Sequence, residues 1–221
     1  MADPRSVVLL SSGLDSTVNL YEAREKSQVV LALTVDYGQR AAPRELERAA
    51  AIAKVAGVPH KVLSLPWFTD FTKTSLVNRD SHLPTAGEVS IDDQAVSERT
   101  AKAVWVPNRN GILLNIAAGF AEGLGAGWVV PGFNIEEGST FPDNTQAFLD
   151  SLTHAFAYST SNHVRAICFT TALDKTAIVK RGRELKVPFE LMWPCYLAGE
   201  KPCGQCESCQ RFNRAMQVPR T

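Results

Sequence analysis

The sequence predicts an α/β protein: a Rossmann-like, open parallel sheet of about five strands flanked by helices, with a cysteine-rich knuckle at the C-terminal end. Three observations predict it. Short apolar runs alternate with helix-period segments through the first 65 residues. A loop of small residues joins the first apolar run to the first helix. Four of the five cysteines fall between Cys195 and Cys209.

The elements follow in order. Ser6 to Leu10 is a short apolar run that reads as a buried strand. Asp15 to Lys26 has helical spacing and is rich in helix formers. Val29 to Val35 is a second buried strand. Arg44 to Ala56 is a second helix, with Pro43 at its start and Gly57 at its end. Val62 to Leu65 is a third strand. Strands and helices alternating at this spacing pair in parallel through right-handed crossovers. Trp67, Phe68 and Phe71 begin a partly helical stretch, and Arg79 to Gln94 reads as a long polar loop. Gly111 to Gly123 is a helix of small residues, Gly127 to Gly132 a fourth strand ending in a turn, and Thr145 to Tyr158 a helix. Arg165 to Phe169 is a fifth strand, with Cys168 expected as a buried structural residue within it. Asp174 to Leu185 is a helix capped by Asp174. From Pro188 the chain turns Cys-, Pro- and Gly-rich, and Glu207 to Met216 closes it as a short helix. The division expected is an α/β domain over 1–187 and a cysteine-bearing segment over 188–221 packed on it.

Composition narrows the function classes. The 221 residues can bury a core without staples. Twenty-three basic side chains balance twenty-three acidic ones, so the basic excess of a protein that holds nucleic acid by bulk electrostatics is missing. No apolar run reaches the roughly 18 residues of a membrane span. Met1 to Leu10 is too short and too weakly basic for a secretory leader. The expectation is a cytoplasmic protein with no nucleic-acid or membrane partner.

The loop after the first strand, Ser11-Ser12-Gly13-Leu14-Asp15-Ser16, has the context of a phosphate site. Small residues let backbone N–H groups approach a polyanion, and the helix that follows aims its unpaired N–H groups at the same place. The segment lacks the Gly-Lys-Ser/Thr of a Walker A loop and the three glycines of a dinucleotide fingerprint. A plain helix N-terminus capped by Ser12 or Asp15 is the bland alternative. At the other end, Cys203-x2-Cys206-x2-Cys209 with Cys195 upstream supplies four thiolates, the composition of a closed tetrahedral zinc site. An iron–sulfur cluster is the rival reading. No two of His60, His82, His154 and His163 have metal-ligand spacing.

The loop resembles the SGGxDS pyrophosphate loop of the PP-loop ATP pyrophosphatases, with Ser12 at the first glycine of the pair. Further segments, in order, are similar to the 7-cyano-7-deazaguanine synthase (QueC) family. Asp36-Tyr37-Gly38-Gln39-Arg40 resembles DYGQRH, with Ala41 at its histidine. Val106-Pro107-Asn108-Arg109-Asn110 resembles VPGRN. Phe141-Pro142-Asp143-Asn144 resembles Tyr-Pro-Asp-Cys, and Asp174-Lys175 an Asn-Lys at a late helix start. The cysteine tail matches too, and the resemblance implies that Cys195, Cys203, Cys206 and Cys209 bind one structural zinc.

The resemblance implies an enzyme that converts 7-carboxy-7-deazaguanine, ammonia and ATP with magnesium into the nitrile, as a homodimer. It implies that Leu10, Ser11, Ser12, Gly13, Leu14, Asp15, Ser16, Thr17, Val35 and Tyr37 bind ATP. Gln39, Arg40, Arg109, Asn110, Asn134, Glu137, Phe141 and Asp143 would bind the deazaguanine substrate, and Asp15, Ser16, Arg109 and Lys175 would serve catalysis. A cation at a helix start is unfavourable without an anion nearby, which points Arg109 at a ligand. Lys175 either neutralises phosphate charge or rests on its helix surface, and Glu136, Glu137 and Asp143 are either surface charge, hydrogen-bond acceptors for the ring of the substrate, or magnesium ligands. Three other readings share the pattern: a related enzyme that stops at the amide or joins the deazaguanine to another amine, a tRNA sulfur-transfer or lysidine-type enzyme of the same fold, and a non-catalytic nucleotide-binding zinc scaffold.

Overall fold

The computed structural model describes residues 4–219. Five strands, β1 (Arg5–Leu9), β2 (Gln28–Asp36), β3 (His60–Ser64), β4 (Trp128–Val130) and β5 (Arg165–Ala166), form one sheet in the order β3-β2-β1-β4-β5. Every pairing is parallel. The chain winds outward from β1 to β3, then returns to the other side of β1 with β4. The reversal opens a crevice beyond the C-terminal ends of β1 and β4, where open α/β sheets take their ligands.

Burial on both faces explains the continuous apolar runs. Val7 points into one layer with Leu31 and Leu33; Val8 points into the other with Ala32 and Val130. On the first face lie α5 (Arg109–Gly123) and α7 (Gln146–Ser159), through Leu114, Ala117, Ala118, Ala121, Leu149 and Phe156. Leu114, Ala117, Ala118 and Ala121 are spaced at i, i+3, i+4 and i+7, one helical stripe of mostly small side chains that brings α5 close to β1. On the second face lie α1 (Leu14–Lys26), α2 (Ala42–Ala56), α8 (Lys175–Glu184) and α9 (Glu207–Met216), through Val18, Ile52, Ile178 and Ala215. Met192 also joins that cluster, so the C-terminal segment shares the core of the sheet. None of the described helices is long and apolar enough to cross a membrane.

The predicted elements are present, with three corrections. A helix missing from the reading, α4 (Gln94–Val104), follows the polar loop. Its buried residues are Ser97, Thr100, Ala101 and Val104, so half of its inward face is hydroxyl and no apolar stripe announces it. β5 pairs over two residues instead of five. One more ladder bond, Ile167 N–H to Val129 O at 2.9 Å, ends the pairing. Asn19 then draws the chain away, its Oδ1 accepting from Phe169 N–H at 2.8 Å. Cys168 therefore lies beyond the strand and is only partly buried. Two short helical turns, α3 (Phe68–Phe71) and α6 (Ile135–Gly138), fill connections near the crevice.

Candidate active site

The crevice holds a cavity of about 270 Å³. Its floor is the N-terminus of α1. Gly13 caps that helix in extended backbone with no side-chain cap, so the first-turn N–H groups keep no partner from their own helix. Ser11, Gly13, Leu14, Asp15 and Ser16 all line the cavity. Ser16 Oγ is held by Ser11, through its N–H at 3.2 Å and its Oγ at 3.1 Å. Ser12 and Thr17 lie underneath. Ser12 has φ 61°, is fully buried, and its Oγ has no partner. Thr17 Oγ1 donates to Gly13 O at 2.7 Å. A Cβ on Gly132, in the turn after β4, would meet Ser16 N at 2.3 Å, so only glycine lets that turn pass across the loop.

Three distant segments meet at Asp15. Its Oδ2 accepts from Lys175 Nζ at 2.8 Å and from Asn134 Nδ2 at 3.2 Å. Lys175 Nζ also pairs with Glu137 at 2.7 Å. Burial pushes the Asp15 carboxyl up while the Lys175 charge pulls it back. Glu137 also feels burial, but its side chain is 32% exposed against 12% for Asp15. The Lys175 charge prevails there and holds Glu137 below the usual carboxylate range. Burial would strip the proton from Lys175, yet the two carboxylates outweigh it and keep the ammonium charged. Asp15 Oδ1 is buried and has no partner.

Across the cavity, Asn108 enters α5 at φ 50° and leaves Arg109 as the first helical residue. Arg109 donates to Tyr37 Oη at 3.4 Å and to Asn110 Oδ1 at 3.2 Å. Asn110 reaches back to the Asp143 carbonyl at 3.4 Å. Burial raises the Asp143 carboxyl, with Arg109 opposing. Phe141 stacks on Trp105 with ring centroids 5.9 Å apart and planes 5° apart. Both rings line the cavity, an apolar wall against which a flat ring system can lie.

The cavity thus gathers Leu10, Ser11, Gly13, Leu14, Asp15, Ser16, Val35, Tyr37, Gln39, Arg109, Asn110, Glu137, Phe141, Asp143 and Lys175 from the predicted set. Asn134 stands behind Asp15. Arg40 faces away from it. Its guanidinium donates to the carbonyls of Ser75, Asn78, Arg79 and Ser81 at 2.6–2.9 Å and folds that loop. Of the open alternatives for Lys175, the helix surface is excluded by its burial. The cavity also presents Glu45, Trp105 and Tyr196, which motif reading missed. Glu45 falls six residues after Gln39 on the next helix, and Trp105 immediately precedes Val106-Pro107; neither position carries a spacing rule of its own.

The four C-terminal sulfurs lie within 4.8 Å of one another. Cys203 and Cys209 are 3.9 Å apart, against roughly 3.8 Å for two thiolates of a tetrahedron with metal–sulfur bonds of about 2.3 Å. Backbone N–H groups of Leu197 and Cys203 donate to Cys195 Sγ, and those of Gln205 and Cys206 to Cys203 Sγ, as suits thiolates. Bonds from Cys206 and Cys209 pull the Cys195 thiol well below its usual value, toward the thiolate that a metal ligand needs. The set fits a bound metal ion. Its upstream end is tied to the loop before α1, for Trp193 N–H donates to Ser12 O at 3.0 Å.

Comparison with known proteins agrees with the geometry. The family profile described as "Queuosine biosynthesis protein QueC" matches residues 5–218. A 7-cyano-7-deazaguanine synthase from Bdellovibrio bacteriovorus is 61% identical over 210 residues, covering 95% of this chain and 91% of that one. One from Desulforamulus reducens is 50% identical, covering 95% and 92%. Among solved structures, a 4-thiouridine synthetase in complex with RNA and with bound ATP superposes with TM-score 0.52 at 16% identity, over 97% of this chain and 50% of that one. That likeness concerns the fold.

Proposed function

Since the chain belongs to the QueC family of queuosine biosynthesis proteins, we propose that this cavity performs the ATP-dependent steps of 7-cyano-7-deazaguanine synthesis. The chain is an enzyme of that activity, forming a carbon–nitrogen bond at the expense of ATP. A carboxylate is a poor electrophile. Attack of its oxygen on the α-phosphate of ATP gives an acyl adenylate and releases pyrophosphate. Ammonia then displaces AMP and leaves an amide. A second activation of the amide oxygen, followed by loss of AMP, leaves the nitrile.

The observation that carries the reading is the meeting of Lys175 with Asp15 in the first turn of α1. It sets a buried cation beside unpaired helix N–H groups, where a polyphosphate binds. Ser11 to Ser16 hold the pyrophosphate, while Leu10, Val35 and Tyr37 border the rest of the nucleotide. Arg109 faces the charge that grows as the carboxyl is adenylated. Trp105 and Phe141 take the flat deazaguanine, and Asp143, Glu137 and Asn110 meet its polar edge. No side chain acts as a nucleophile, so positioning and electrostatics do the work. The unpartnered Asp15 Oδ1 suits the magnesium that accompanies ATP, which would share the phosphate charge. Cys195, Cys203, Cys206 and Cys209 would hold zinc; four protein ligands close the site to water, so its part is structural. The enzyme works in the cytoplasm as a homodimer. The exposed apolar side chains Val62, Trp67 and Phe71 beside the edge strand β3 support the dimer.

Incubation with 7-carboxy-7-deazaguanine, ATP, magnesium and ammonium, followed by mass analysis, tests the reading. The expected product is the nitrile. Accumulation of the amide alone would shift the assignment to an amide-forming relative, and absence of acid-dependent ATP consumption would sink it.

A further inference from the structure

One acidic side chain facing the cavity has no part in the activation steps. Glu45 stands in the first turn of α2. Its Oε2 accepts from Gln39 Nε2 at 2.8 Å. Gln39 is 4% exposed and fully committed: Nε2 also donates to Val35 O at 3.1 Å, and Oε1 accepts from Tyr37 N–H at 2.9 Å. The end of β2 thus fixes Glu45 through Gln39. Glu45 joins none of the ion pairs among the described residues, unlike Asp15 and Glu137. Burial lifts its carboxyl to about 7; the Gln39 bond and the Arg109 charge oppose this, and Asp36 adds to it. Tyr37, itself held protonated by burial, is the other titratable neighbour.

A partly buried carboxylate turned into a cavity with no cation paired to it is an incomplete site. The reaction supplies a fitting occupant, because its nitrogen donor is ammonium at neutral pH and has no free lone pair. A base for that proton works best with a pKa near the working pH.

We propose that Glu45, oriented by Gln39, binds ammonium at the β2 end of the cavity and accepts the proton that frees its lone pair. The proposal rests on the synthase reading. One N–H bond of ammonium breaks, its electrons remain on nitrogen as the lone pair, and the proton goes to the Glu45 carboxylate. The nitrogen of the resulting ammonia attacks the adenylated carboxyl carbon and forms the C–N bond. The C–O bond to AMP breaks, AMP leaves with that electron pair, and the second surplus nitrogen proton passes to water.

The test uses Glu45→Gln and Glu45→Asp, with folding checked by circular dichroism. Acid-dependent exchange of pyrophosphate into ATP reports adenylation, which needs no nitrogen donor. Amide formation is measured with ammonium chloride, and hydroxamate formation with hydroxylamine, which is mostly unprotonated at neutral pH. In Glu45→Gln, exchange stays within a few fold while the ammonium reaction falls about 10²–10⁴-fold. The hydroxylamine rate is close to that of the natural protein, and Glu45→Asp recovers part of the ammonium rate. The natural protein's ammonium rate rises with pH through about 7 as Glu45 loses its proton; in Glu45→Gln that rise moves up to where ammonium itself deprotonates. An undiminished ammonium rate in Glu45→Gln, an equal loss with both nucleophiles, or loss of exchange would overturn the assignment. Absence of exchange in the natural protein would instead remove the synthase reading beneath it.

Discussion

Ser12 and Asn108 adopt φ 61° and 50°, and each stands where the resembled motif carries glycine. The left-handed region costs an L-residue about 1–2 kcal/mol, less for asparagine, whose short polar side chain tolerates it. Ser12 adds a buried hydroxyl without a partner, a further cost. The departure at Ser12 was legible in the sequence, whereas the backbone angle that gives it meaning was not. Ser12→Gly should therefore stabilise the protein by about 1 kcal/mol: relief of strain and of the orphan hydroxyl outweighs the roughly 0.4–1 kcal/mol that glycine returns to the unfolded chain. Urea unfolding would register a higher midpoint at unchanged slope. An unchanged or lower midpoint would mean that the loop is not strained.

Helices α1, α2 and α9 were readable because each carries its own signals, such as Pro43 and Gly57 around α2. Helix α4 was not, and the reason is what it packs against. Ser97 and Thr100 face Glu207 and Arg211 of α9 rather than an apolar wall. Arg211 also reaches Glu136 at 3.0 Å, and Glu136 Oε1 accepts from Lys175 N–H at 2.9 Å. Side chains of α4, α6 and α9 thus brace the start of α8 through one buried charge network. Removing one member of such a network strands the others. Arg211→Met leaves Glu207 without a cation, while Glu136 keeps Arg214 at 3.0 Å, and should cost about 3 kcal/mol, seen as an earlier denaturation midpoint. A loss of only a few tenths would show that solvent already screens the pairs.

At the scale of the molecule, an open parallel sheet of about five strands was legible from alternating patterns, whereas the strand order that places the crevice was not. The union of residues 10, 11, 13–16, 109, 137 and 175 in one cavity was legible only through motif resemblance, because nothing local fixes which loops meet. Nor did any pattern indicate that the cysteine-bearing tail touches the loop over residues 11–16. Trp193 makes that contact two residues before Cys195. Stripping the metal with a chelator should lower Tm by several degrees. It should expose four thiols to a labelling reagent and weaken ATP binding in parallel with the labelling. Labelling with ATP binding intact would mean that the tail and the loop are independent.

The same contact orders events during synthesis. The carbonyl of Ser12 waits for the N–H of Trp193, which the ribosome adds far later. A nascent chain on the ribosome therefore carries an incomplete loop over residues 11–16 until Trp193 has been made. The loop is completed with the segment that carries the cysteines, after all five strands have been made.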